Sequence, residues 1–101
     1  MNQVESRAWD ALRNVYDPEL AIDIVALGLV YAVRDEGDEV VLEITLTTPG
    51  CPVAETIPED ARAAVAEAVG PDKQVRVEIV WDPPWTPDLM EPEAAEALGF
   101  G

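Results

Sequence analysis

Val40-Val41-Leu42-Glu43-Ile44-Thr45-Leu46-Thr47-Thr48-Pro49-Gly50-Cys51-Pro52 reads as a strand that runs through a turn into a helix. Val40, Leu42, Ile44 and Leu46 alternate with Val41, Glu43, Thr45 and Thr47, the period of a pleated strand with one face on a core. Pro49 and Gly50 are turn formers, and Pro52 suits a first helical position, where its missing N–H costs nothing. This spacing predicts Cys51, the one cysteine of the chain, at the N-cap. A side chain there meets unpaired N–H groups and the positive end of the helix dipole, a setting that favours a thiolate or a bound group. The plainer reading makes Cys51 a small buried apolar residue and the threonines ordinary strand residues.

Outward from this stretch, Leu29 to Arg34 reads as a partner strand joined through Asp35-Glu36-Gly37-Asp38, a hairpin connection with its expected glycine. Ile57, Ala61, Ala64, Val65 and Ala68 form the apolar stripe of a helix that stops at Gly70-Pro71, with Pro58 expected to kink or restart it. Gln74 to Trp81 alternates again as a third strand, with Val75, Val77, Ile79 and Trp81 on one face. Upstream, Asn2 and Glu5 have capping-box spacing at the start of a helix over Gln3–Asn14, which Asp17-Pro18-Glu19-Leu20 ends. Ile22 to Gly28 reads as a short helical turn or an irregular crossing closed by glycine. Downstream, three prolines in Asp82-Pro83-Pro84-Trp85-Thr86-Pro87-Asp88 predict an extended loop, and Pro92 to Leu98 a last short helix. The expected core is Val40, Leu42, Ile44 and Leu46 with Ala61, Val65, Val77 and Ile79.

The 101 residues suit one domain spanning 1–101. Six basic residues against 21 acidic ones give a formal charge of −15, which repels nucleic acid and anionic membranes. That acidity either attracts a basic partner or serves solubility and salt tolerance. No histidine is present, so Cys-His pairs, Ser-His-Asp triads and the commonest zinc and non-haem iron ligand are all unavailable. A thiol enzyme would have to find its base elsewhere, and the expectation is no catalytic activity. The start of the chain shows neither a basic nor an apolar leader pattern, and one cysteine makes no internal disulfide, both in keeping with the cytoplasm.

Five ordered blocks, Asp17-Pro18-Glu19-Leu20, Leu27 to Tyr31, Thr45 to Pro52, Trp81 to Trp85, and Met90 with Ala94, Ala95, Leu98 and Gly99, resemble the SufT/PaaD-type family of iron–sulfur assembly factors. The resemblance runs from about Asp17 to Gly99. It implies an α+β fold of the iron–sulfur cluster assembly type, in the order αββαβα, with a proline-rich loop before the last helix. It implies an accessory or targeting factor that helps mature client metalloenzymes, with Cys51 as a transient cluster or iron ligand. The polar site it implies is Asp17, Thr47, Thr48 and Cys51, with Glu19 close in sequence and Gly50 in the supporting loop. From the residues alone, Asp17 and Glu19 either cap local backbone or reach the cysteine loop.

Two functions compete at this point. In the first, the cargo is a transient iron–sulfur cluster or iron, the partners are the assembly machinery or client apo-enzymes, and a homodimer is one source of further ligands, since a cluster needs about four. In the second, the chain is a non-catalytic adaptor in which Cys51 is structural. There the Trp81 to Trp85 loop and the acidic surface bind a partner, although Trp81 and Trp85 suit the closing of a core edge as well as a partner interface.

Overall fold

The computed structural model describes residues 2–17, 21–46 and 56–99. Asn2 and Glu5 close a reciprocal capping box, each side chain accepting from the other's backbone N–H at 3.1 and 2.8 Å, and start helix α1 at Gln3–Leu12. Such a cap is worth about 1 kcal/mol. Strand β1 is Val30–Asp35 and β2 is Glu39–Ile44, followed by α2 at Thr56–Val69, β3 at Gln74–Ile79 and α3 at Pro92–Ala97. This is the expected α+β order, αββαβα. Pro58 is the third residue of α2 as described, and the helix runs on unbroken.

The sheet order is β1-β2-β3, antiparallel between the first pair and parallel between the second. A parallel neighbour needs a crossover, and α2 supplies it. Val40, Leu42 and Ile44 face the helices and are fully buried, as are Ala61 and Val65 of α2 and Ala8 and Leu12 of α1. Leu46 and Val77 are half-buried at the margin of this core. Ile79 departs from expectation: it is 38 % exposed, because it ends an edge strand with no fourth strand beside it among the described residues.

The outer face of β2 is drier than alternation alone suggests. Val41 is fully buried, with Arg34 and Arg76 as its register partners on the two neighbouring strands. Their aliphatic stems can cover the valine while their guanidiniums pair with carboxylates in front of it. Arg34 pairs with Glu43 and, at 4.0 Å, with Glu78. Arg76 pairs with Glu78 and, at 3.1 Å, with Glu39.

Candidate functional site

Two parallel strands end side by side, and what leaves their carboxyl ends defines one end of the molecule. Beyond β2 come Thr45 and Leu46, then the residues that lead to α2; beyond β3 come Val80 and the proline-rich segment. The backbone N–H of Val80 still donates to Ile44 O at 2.9 Å, and that of Thr45 to Leu29 O at 2.8 Å, so β1 starts at this same end. Ligands in sheets with parallel strands collect at such carboxyl ends, where loops diverge.

Asp17 is held by a short antiparallel pairing that follows α1. Ile24 N donates to Val15 O at 2.9 Å, Tyr16 bridges Asp23, and Asp17 itself exchanges bonds with Ile22 and Ala21. Asp17 is buried at 9 % exposure. Of the two readings of Ile22 to Gly28, a helical turn or an irregular crossing, the bonds show a turn: Asp23 Oδ2 accepts from Ala26 N at 2.9 Å to cap it, and Gly28 at φ +76° ends it. Leu29 N donates to Ile24 O and Gly28 N to Val25 O, both at 3.0 Å, the paired bonds of a Schellman stop. Asp23 was not singled out in the sequence, although an aspartate three residues before a helical N–H is a cap signal.

A strap formed by Pro83 to Leu98 lies across this turn. Trp85 Nε1 donates to Leu27 O at 2.7 Å, Glu91 N donates to Ala26 O at 2.8 Å, and Met90 and Ala94 are buried. Arg13 from the end of α1 grips Glu91 with two bonds of 3.0 and 2.8 Å. That guanidinium holds the Glu91 carboxyl below the usual carboxylate range. On the other side, the Tyr31 hydroxyl donates to Pro83 O at 2.7 Å. The register of β1 on β2 shifts between Val30 and Ala32, and such an irregularity re-aims a side chain. Trp85 therefore serves the fold, half-buried against the core, while Trp81 is 46 % exposed at the end of β3.

Thr45 carries the anomaly of this end. It is fully buried, and its Oγ1 has no hydrogen-bond partner among the described residues. Buried hydroxyls are normally paired, and an unpaired one costs about 1–3 kcal/mol. Cys51, Thr47, Thr48, Gly50 and Glu19, five of the residues expected at the site, lie outside the described residues, as does the expected N-cap position of Cys51. Among the described residues, no three His, Cys, Asp or Glu side chains form a metal-holding group, and no helix is long and apolar enough to cross a membrane.

This helix–hairpin–helix–strand order with a small mixed sheet is the α+β architecture that the resemblance implies. Residues 5–79 match the family model described as "Iron-sulfur cluster assembly protein", and the chain belongs to that family. It is 48 % identical over 92 residues to the Fe-S protein maturation auxiliary factor YitW of Bacillus subtilis, covering 89 % of this chain and 88 % of that one. It is 45 % identical over 86 residues to the Fe-S protein maturation auxiliary factor SufT of Staphylococcus aureus, covering 84 % and 97 %. A solved domain of unknown function from Bacillus anthracis superposes with a TM-score of 0.85 at 40 % identity, over 97 % of this chain and 93 % of that one.

Proposed function

We propose that this chain is an auxiliary factor in iron–sulfur protein maturation, working in the cytoplasm without catalysing a reaction of its own. In this reading Cys51 is a transient ligand for cluster or iron in transit to client apo-enzymes. The observation that carries it is similarity at nearly full length, on both sides of the comparison, to two proteins named as Fe-S protein maturation auxiliary factors. The acidity of Asp17 and Glu19 supports it, since a bound iron cation would pair with thiolate and carboxylate together. One thiolate is far short of the roughly four ligands that cluster iron takes. The remainder then come from an assembly partner, a client cysteine, an external thiol or a second copy, which suits cargo that must leave again.

The test is anaerobic reconstitution with iron and sulfide of the wild type and of Cys51→Ser, read by visible absorption and iron content, followed by activation of a client apo-enzyme. Loss of both colour and activation in Cys51→Ser is the expected result. A colourless wild type that binds and activates its client equally well with Cys51→Ser would overturn the ligand role. It would favour the adaptor reading, to which the exposed Trp81 lends a specific surface.

A further inference from the structure

The two edges of the sheet are finished differently. At the β1 edge, the register is interrupted next to Tyr31 and the outward N–H of Asp35 is taken by Glu5 Oε2 at 3.1 Å. Both devices blunt an edge against pairing. The β3 edge has neither. Gln74 N donates to Asp38 O and Val80 N to Ile44 O, so the even-numbered residues of β3 bond inward to β2. The N–H and C=O groups of Val75, Val77 and Ile79 therefore point outward, and among the described residues no strand meets them.

We propose that this edge pairs with the same edge of a second copy, β3 against β3 in antiparallel fashion about a two-fold axis at Val77. Outward groups on odd-numbered residues require odd to face odd. Among such registers, the one centred on Val77 sets Arg76 opposite Glu78 of the second copy, and by symmetry does so twice. Moving the centre one residue either way sets Arg76 against Arg76 or Glu78 against Glu78, which is unfavourable between directly opposed residues. The Val77 register also sets Val75 opposite Ile79, covering the apolar side chain that is 38 % exposed. The strand is thus self-complementary in hydrogen bonding, charge and apolar surface at one register, as a two-fold interface requires.

The product is a continuous six-stranded sheet with the helices of both copies on one face. At about 3.3 Å per residue, Val80 lies roughly 10 Å from the axis, and the two carboxyl ends point in opposite directions. This pairing keeps the two candidate sites apart, so it does not supply shared cluster ligands and stands independently of the function proposed above. Because each copy carries a formal charge of −15, screening salt should tighten the pair.

Sedimentation equilibrium of the metal-free wild type across a concentration series, at low and physiological salt, reads the association directly. Arg76→Glu and Glu78→Arg should each weaken it about tenfold or more, and the double exchange should recover most of the loss, because unlike charges again face each other. Val77→Pro removes one outward N–H without touching the bonds to β2 and should abolish pairing; circular dichroism of every variant reports folding. Amide exchange supplies the second readout, with protection at Val75, Val77 and Ile79 rising with protein concentration. A chain that stays monomeric at millimolar concentration in both salts overturns the proposal. So does a dimer indifferent to these substitutions, or one whose added protection falls elsewhere.

Discussion

Gly28→Ala tests whether the strap and the turn beneath it are one packed unit. Gly28 has φ +76°, and a Cβ built on it would lie 2.4 Å from Leu89 O and 2.7 Å from Leu89 C. Both are backbone atoms, so relief requires the strap itself to move. The left-handed conformation costs a side chain about 1–2 kcal/mol. Displacing the strap strains the bonds from Trp85 Nε1 to Leu27 O and from Glu91 N to Ala26 O, at about 0.5–1.5 kcal/mol each. It also re-exposes part of Met90, adding roughly 1 kcal/mol. The sum is about 3–6 kcal/mol, against a total stability on the order of 5–15 kcal/mol. Gly70→Ala is the control, since Gly70 has φ +93° and nothing within 4 Å of its would-be Cβ, leaving only the conformational cost of about 1–2 kcal/mol. Urea unfolding followed by tryptophan fluorescence gives both values. Equal losses in the two variants, within about 0.5 kcal/mol, would refute the close approach as a contributor to stability.

Leu42→Ala should cost about 2–5 kcal/mol, because the leucine is fully buried on the central strand; an unchanged urea midpoint contradicts that core. Thr45→Val keeps the shape and removes the unpaired hydroxyl, so stability should rise by about 1 kcal/mol, and a comparable fall would show that the hydroxyl has a partner after all. Asp35 is held below the usual carboxylate range, first by the Lys73 ammonium and next by Gly37 N–H. Its stabilising contribution is therefore complete above a pH of about 4 and fades as the pH drops through the depressed folded value. In Asp35→Asn this part of the acid dependence should vanish, as measured by urea midpoints between about pH 2 and pH 6.

Local signals were legible wherever one short stretch contains its own cause. The Asn2/Glu5 box, the alternation from Val40 to Ile44, the Ala61/Val65 stripe and the stop at Gly28 each depend on neighbours a few residues away. What sequence alone did not reveal depends on strands meeting across the fold. Val41 is dry because Arg34 and Arg76 stand on either side of it, and Ile79 is exposed because β3 is last in the sheet. Trp81 and Trp85 look alike in the chain, yet it is Trp85 whose Nε1 reaches Leu27 O. Asp17, which the sequence named for the site, is buried where the chain pairs back through Ile22. The orphaned Thr45 hydroxyl is a consequence of packing that no spacing could announce.

Arg13, Arg34, Arg62, Lys73 and Arg76 each sit within 4.0 Å of a carboxylate, leaving Arg7 as the sixth basic side chain and the one without such a pair among the described residues. At distances beyond contact but within a Debye length, about 8 Å in physiological salt, each of those pairs is nearly neutral and the uncompensated carboxylates dominate the field. An approaching cationic surface is then drawn in before any side chain touches, and an anionic one is turned away at the same range. The ion pairs that fasten the sheet and the strap thereby also shape encounter kinetics: added salt should slow the arrival of a cationic molecule far more than it hastens its departure.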